Sequence, residues 1–92
     1  MAGGTLRAVV TVMPRDGVLD PQGEAIRRAL GSLGFGGVRG ARQGKVIELA
    51  LDPGTGEAEV RAMCDALLAN AVIEDYRIEM GRIEMGPIEM GG

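Results

Sequence analysis

The N-terminal part of the chain alternates between apolar and other residues. One set of alternate positions is entirely aliphatic: Leu6, Ala8, Val10 and Val12. A period of two is typical of a β-strand with one face against a core, so the pattern predicts a first strand over residues 5–13. The opposite face holds Arg7, Val9, Thr11 and Met13. It is more apolar than a water-facing surface needs to be, which indicates that something covers it.

A helical pattern comes next. Asp20-Pro21 is typical of a helix start, with the carboxylate as N-cap and the proline at the first helical position. Apolar side chains then recur at the i, i+3, i+4 and i+7 positions of one stripe: Ile26, Ala29, Leu30 and Leu33. This spacing predicts an amphipathic helix that ends near Gly34.

Residues 36–51 predict a β-hairpin. It consists of a weak strand over 38–42, a turn at Gln43-Gly44 and a stronger strand over 45–51. A second helix follows the turn at 52–54, with an apolar stripe formed by Val60, Met63, Cys64, Leu67 and Leu68. The last element is a strand over 72–79, whose β-branched residues and tyrosine favour extended structure.

This order of elements predicts an α+β fold of the two-layer βαββαβ, or ferredoxin-like, type. Its antiparallel sheet carries two helices on one face. The other sheet face, with Val46 and Ala50 beside the first strand, would be exposed in a monomer. We therefore predict that this face forms a dimer.

A five-residue repeat of Ile-Glu-Met-Gly and one variable residue occupies the C-terminus. The predicted domain covers residues 1–79 and the low-complexity tail 80–92. An odd period moves each isoleucine to alternate sides of a strand, so the repeat builds no single buried face. We expect a mobile tail, with an extended arm that adds to a neighbouring sheet as the alternative. Its three methionines do not suffice to predict a soft-metal site.

Composition excludes most familiar catalytic sites. The 92 residues allow one domain, and they include no histidine and a single cysteine, Cys64. Ser-His-Asp and Cys-His pairs and structural zinc sites are therefore impossible, and we predict no metal site and no catalytic residue. Cys64 lies on the stripe of the second helix, so we expect a buried hydrophobe. A net charge of −3 with 2% aromatic residues argues against nucleic-acid binding.

The expected location is the cytoplasm. A single cysteine forms no internal disulfide, which fits a reducing compartment. No apolar run approaches the roughly 20 residues that span a bilayer, and residues 1–4 lack the features of a secretory signal.

Two groups of polar residues are candidates for binding. Arg39, Arg42 and Lys45 bracket the predicted hairpin turn and suit a phosphate or a carboxylate, or they are an ordinary solvated surface. The other group is Asn70, which follows the second helix and suits a helix C-cap, with Glu74 and Asp75 as solvated strand residues. Spacing alone assigns no chemistry to either group.

Several short motifs, in a fixed order along the chain, resemble one family. They are Val18-Leu19-Asp20-Pro21-Gln22-Gly23, Gly44-Lys45, Leu67-Leu68-Ala69-Asn70 and Val72-Ile73-Glu74-Asp75-Tyr76. Together they resemble PurS, the family of small subunits of phosphoribosylformylglycinamidine synthase, over residues 6–79. Ala71 stands where that family often has proline, and the repeated tail lies outside the family pattern.

The resemblance implies a non-catalytic subunit of an ATP- and glutamine-dependent amide ligase in purine biosynthesis. Its implied partners are a glutaminase subunit, a synthetase subunit and further copies of itself, as a homodimer or tetramer. The complex would use ATP, magnesium and glutamine, and this chain would bind no cofactor itself. The surface residues of the motifs are then the candidate partner contacts: Arg42, Lys45, Asn70, Asp75 and Tyr76.

Two other functions share the predicted element order. One is an ACT-like regulatory module that binds amino acids at a subunit interface, and fold analogy alone does not exclude it. The other is an acylphosphatase-like enzyme, which needs an arginine phosphate cradle beside an asparagine. It ranks last because Asn70 follows the second helix.

Overall fold

A computed structural model describes residues 5–83 of the chain. Its strands are β1 (Thr5–Pro14), β2 (Lys45–Leu51) and β3 (Glu74–Ile83). Its helices are α1 (Pro21–Ser32) and α2 (Glu57–Met63), and α2 continues into a turn of π-helix over Cys64–Leu68. None of the helices in this part of the chain is long and apolar enough to cross a bilayer.

The three strands form one antiparallel sheet in the order β2-β1-β3. The most apolar strand, β1, lies in the centre, where its Val10 is opposite Ile47 of β2 and Ile78 of β3. Because side chains alternate across a strand, this register places the alternate residues that include Val10, Ile47 and Ile78 on one face. β3 includes residues 80–83 of the predicted tail. The rest of that tail lies outside the described residues, and its behaviour stays a prediction.

The α+β class and the antiparallel sheet are confirmed, but the sheet has three strands within residues 5–83. The weak strand predicted over 38–42 is wrong, because this segment is irregular. Glycines at 36, 37 and 40 make an ordered strand entropically costly. The segment is instead fixed at its end, where the Gln43 amide donates a hydrogen bond to Asp20 Oδ2 at 2.9 Å.

The core lies on the aliphatic face of the sheet, under α2. Five hydrophobic residues are fully buried in the described chain: Ala8, Val10, Val12, Val60 and Cys64. Ile47, Leu49, Ile78 and Met80 pack around them and are partly buried. The prediction that Cys64 is a buried hydrophobe is confirmed, and desolvation raises the pKa of its thiol.

The apolar stripe of α1 does not reach this core. Ile26 is 39% exposed and Leu33 is 72% exposed, and α1 makes only sparse contacts with the other elements. The expectation that both helices cover the sheet is therefore confirmed for α2 alone. α1 is fixed at its first turn, where Asp20 Oδ1 accepts a hydrogen bond from the Gly23 amide at 3.0 Å.

One residue of the second predicted stripe also points to solvent. Val60 and Cys64 are buried as expected, but Leu67 is 82% exposed. The Ala69 amide donates to the Cys64 carbonyl at 3.0 Å, five residues back. A π-turn contains more residues than an α-turn, so it rotates the residues that follow and breaks the i, i+3, i+4 pattern. Leu68, which also belongs to the predicted stripe, packs against the core.

Candidate functional site: one end of the sheet

Four segments of the chain meet at the end of the sheet where β1 finishes. They are the loop after β1, the first turn of α1, the segment that leads to β2 and the turn before β3. We call these four segments together the sheet end (residues 14–23, 41–45 and 69–77). Arg15 fastens two of them: its amide donates to Ile73 O at 2.8 Å, and its Nη2 donates to Ala71 O at 2.7 Å. Its Nη1 also lies 3.5 Å from Asp75 Oδ1.

Asp20 fastens the other two segments. One of its carboxylate oxygens caps α1 and the other accepts the Gln43 amide. The hydrogen bond from Gly23, followed by that from Gln43, holds the pKa of Asp20 below its ordinary value. The sequence predicts the cap, but its pattern contains no sign of the link to Gln43, which lies 23 residues away.

A first cleft at the sheet end brings together three of the predicted contact residues. Arg42, Asp75 and Tyr76 line this depression of about 310 Å³, together with Thr11, Met13, Pro14, Asp16 and Arg77. Arg42 Nη1 donates to Pro14 O at 3.1 Å and lies 3.4 Å from Asp16 Oδ1. Its side chain is still half exposed, so its remaining N–H groups are available to an acceptor on another molecule.

Lys45 lies in a second, smaller cleft. It faces Val12 in the β1–β2 register and lines a depression of about 220 Å³ with Gln22, Gln43, Gly44 and Glu74. Gly44 approaches β1 so closely that an added Cβ would overlap the Val12 carbonyl oxygen and the Met13 sulfur. The structure therefore places Arg42 and Lys45 in separate clefts rather than around one anion.

Asn70 shapes the turn before β3. Its Oδ1 accepts from the Val72 amide at 3.0 Å, and its own amide donates to Glu74 Oε1 at 2.7 Å. Its carbonyl accepts from the amides of Ile73 and Glu74. The C-cap reading of Asn70 is wrong by one residue, because Ala69 occupies that position. The Asn70 side chain lies in neither cleft.

Tyr76 joins β3 to the helical layer. Its hydroxyl donates to Asp65 Oδ1 at 2.9 Å, and the Arg61 guanidinium lies 5.9 Å from the centre of its ring. Partial burial, followed by the hydrogen bond to Asp65, raises the pKa of the phenol. Tyr76 thus lines the first cleft while its polar atom is used inside the fold.

Several large apolar side chains in the sheet end or next to it in the chain are exposed. Leu19, Leu67 and Val72 are each more than four-fifths exposed, and Ile73 is 42% exposed. Residues 5–83 contain no cluster of acidic or cysteine side chains that would hold a metal ion. Sequence patterns missed Leu67 because the apolar stripe of the second helix predicts its burial. They missed Val72 because its residue type favours a strand, whereas β3 begins at Glu74.

The polar groups at the sheet end bond mainly to the chain's own backbone, and large apolar side chains stay in solvent. Such a surface suits contact with other proteins. Fold and site together define a small ferredoxin-like α+β protein with polar clefts and exposed apolar side chains at one end of its sheet. Comparison with known proteins gives the family: residues 7–82 match the family model PurS, described as phosphoribosylformylglycinamidine (FGAM) synthase. The chain belongs to the PurS family.

Curated relatives carry the same family name. The chain is 51% identical over 70 residues to the phosphoribosylformylglycinamidine synthase subunit PurS of Mycobacterium leprae, covering 76% of this chain and 89% of that one. It is 44% identical to the PurS subunit of Bacillus subtilis, covering 74% and 83%. The chain is thus a PurS-type subunit of FGAM synthase, a ligase of purine biosynthesis. The ACT-like alternative finds no support in these similarities.

Solved structures agree with the fold. A crystal structure of B. subtilis PurS superimposes with a TM-score of 0.76 at 41% identity, covering 83% of this chain and 98% of that chain. A chain from the structure of PurLQS of Thermotoga maritima superimposes with a TM-score of 0.74 at 31% identity, covering 85% and 99%.

Proposed function

We propose that this chain bridges the glutaminase and the ATP-dependent synthetase of FGAM synthase and supports ammonia transfer between them. The observation that carries this proposal is the likeness to a chain of the T. maritima PurLQS structure, which covers 85% of the present chain. A bridge keeps the two sites at a fixed distance, so ammonia passes without equilibrating with water. ATP, magnesium and glutamine are bound by the complex in this proposal and not by this subunit.

The sheet end is the proposed contact with the larger subunits. Arg42 is half exposed and Lys45 is exposed in its cleft, and each offers donors to a partner carboxylate or carbonyl. Asp75 shares the first cleft with Arg42. Asn70 and Tyr76 act by fixing the turn and the strand that present Asp75, because their polar side-chain atoms bond within the fold.

We also propose that the chain forms a homodimer or tetramer in the cytoplasm. Five fully buried hydrophobic residues are a small core for residues 5–83, and chains of this size gain stability when a partner subunit covers more apolar area. The sequence predicts the far face of the sheet as the dimer contact. This face carries both charged and apolar side chains. Arg7 lies 3.7 Å from Glu48, and Val9 lies between Glu48 and Glu79.

Reconstitution tests the bridge. Glutamine-dependent amidine synthesis is measured with the glutaminase and synthetase alone and after adding this chain, and ammonia-driven synthesis by the synthetase is the reference. We expect the chain to be required for the glutamine-dependent rate and to leave the ammonia-driven rate unchanged. A full glutamine-dependent rate without the chain contradicts the proposal.

A pair of variants tests the surface. Arg42→Glu at the sheet end should weaken assembly with the larger subunits roughly tenfold or more, because a paired charge is replaced by a repelling one. Arg7→Glu makes the same charge change near the opposite end of β1, on a side chain that is also about half exposed, and should not affect assembly. Equal effects of the two substitutions would exclude the sheet end as the contact.

A further inference from the structure

Arg77 is a charged residue of the first cleft to which no task has been given so far. It lies on β3 opposite Thr11 of β1 and is exposed. Both residues line the first cleft together with Arg42. None of the ion pairs within residues 5–83 includes Arg77. Its guanidinium group is therefore available to an acceptor on another molecule.

The two acidic residues of the first cleft already have partners within the chain. Asp75 Oδ1 lies 3.5 Å from Arg15 Nη1, and Asp16 Oδ1 lies 3.4 Å from Arg42 Nη1. The cleft and Arg15 together hold three arginines and two aspartates, so one positive charge is left in excess. The whole chain has a net charge of −3. The first cleft is thus opposite in sign to the protein that carries it.

Asp16 is a partner that a stronger acceptor can replace. Its side chain is fully exposed, and that of Arg42 is half exposed, so their ion pair contributes little in water. The hydrogen bond from Arg42 Nη1 to Pro14 O fixes the guanidinium group without the help of Asp16. A carboxylate from another molecule can therefore take the place of Asp16, with the paired N–H···O bonds that guanidinium and carboxylate groups form.

The surroundings of the first cleft favour a protein ligand over a free anion. Within residues 5–83 no charged side chain is buried, so water screens the arginines and a free anion gains little from them. The turn beside Asp75 carries Val72 and Ile73, which are 82% and 42% exposed. Arg15 joins this turn to the cleft, because it bonds to Ile73 O and lies against Asp75. Apolar side chains next to a charged cleft suit a protein partner, which excludes water as it binds.

We propose that Arg77 and Arg42 together bind an acidic side chain of one of the two larger subunits, and that Val72 packs beside it. The inference rests on the proposed function and names the chemistry of the group that the sheet end receives. Arg77 is then a residue that determines specificity, because an unpaired positive charge favours an acidic partner residue and repels a basic one.

Two substitutions in the first cleft should act in opposite directions on assembly with the larger subunits. Arg77→Gln should raise the dissociation constant roughly tenfold, and Asp16→Asn should lower it about twofold because it removes a competing carboxylate. Arg7→Gln is the control, since Arg7 is also exposed but lies toward the opposite end of β1. Biolayer interferometry measures the constants, and far-UV circular dichroism checks that the variants fold. No effect of Arg77→Gln, or weaker binding with Asp16→Asn, overturns the proposal.

Carboxylate footprinting locates the bound group. A carbodiimide with glycine ethyl ester labels the accessible carboxylates of the assembled complex, and mass spectrometry reads the labelled positions. We expect a carboxylate of one larger subunit to be protected by the wild-type chain and labelled when saturating Arg77→Gln chain replaces it. The absence of such a carboxylate overturns the proposal. Binding of inorganic phosphate to the free chain that Arg77→Gln abolishes, with assembly unchanged, would assign the cleft to a free anion and also overturn it.

The carboxylate contact and the bridge fail in different experiments. If glutamine-dependent synthesis requires the wild-type chain but Arg77→Gln assembles normally, the bridge stands and the carboxylate contact is wrong. If assembly depends on Arg77 but synthesis proceeds at the full rate without the chain, the contact stands and the bridge is wrong.

Discussion

Glu24 shows how a single side chain links local structure to pH. It lies in the first turn of α1, and Arg27 Nε donates to its Oε1 at 2.9 Å. This hydrogen bond, helped by the charges of Arg27 and Arg28, lowers the pKa of Glu24 from 4.5 to about 2. A depressed folded-state pKa contributes stability above the unfolded value, and the contribution is lost as pH falls from about 4.5 to about 2.

The matching experiment compares the wild type with Glu24→Gln by urea unfolding from pH 7 to pH 2. We expect the variant to be slightly less stable at pH 7, because exposed ion pairs contribute little. The difference should shrink as Glu24 becomes protonated in the wild type. A difference that is constant over this range would mean that the Glu24 charge does not act through this pairing.

Cys64 gives a second residue-scale prediction. Burial raises the pKa of its thiol, so both access and thiolate formation are suppressed in the folded chain. We expect a disulfide reagent such as dithionitrobenzoate to modify Cys64 only as fast as the chain unfolds. The rate should therefore rise with denaturant. Fast modification at neutral pH without denaturant would contradict the burial of this helix face.

At the scale of elements, two glycines of α1 form a matched pair. A Cβ at Gly23 would overlap the Ala41 carbonyl, whereas one at Gly31 meets nothing within 4 Å. Gly23→Ala should therefore destabilise the fold by about 1–3 kcal/mol, through overpacking where the first turn of α1 contacts the segment that leads to β2. Gly31→Ala should stabilise it by about 0.5–1 kcal/mol, because alanine lowers the backbone entropy lost in a helix. Chemical denaturation of both variants measures the two values. Opposite signs separate a packing effect from simple helix propensity.

At the scale of the whole molecule, the small core predicts that stability depends on association. If copies of the chain associate as proposed, the unfolding temperature should rise by about 2–4 °C for each tenfold increase in protein concentration, by mass action. Differential scanning calorimetry over two decades of concentration measures this. A midpoint independent of concentration would show that the single chain is stable on its own.

The elements and the family could be predicted from the sequence because their signals are local. Alternation in β1, the Asp20-Pro21 start of α1 and the Val60–Cys64 spacing each depend on neighbours within one or two turns. The candidate residues Arg42, Asp75 and Tyr76 were also found, and the structure brings them to one cleft. The contacts that these side chains make could not be predicted from the sequence. Tyr76 bonds to Asp65 and Arg42 bonds to Pro14, and each contact joins separate elements of the fold.

The sequence by itself determined the order of the five elements β1, α1, β2, α2 and β3, the class of fold and the lack of a histidine-based catalytic site. Composition and periodicity are properties of the unfolded chain. Only the tertiary structure decided that residues 38–42 are irregular, that the π-turn exposes Leu67 and that the apolar stripe of α1 lies outside the core. The physical reason is that an apolar stripe predicts the burial of a helix face but does not specify the surface that covers it. The position of α1 depends on the contacts of Asp20 with Gly23 and with Gln43, and Gln43 is distant from Asp20 along the chain.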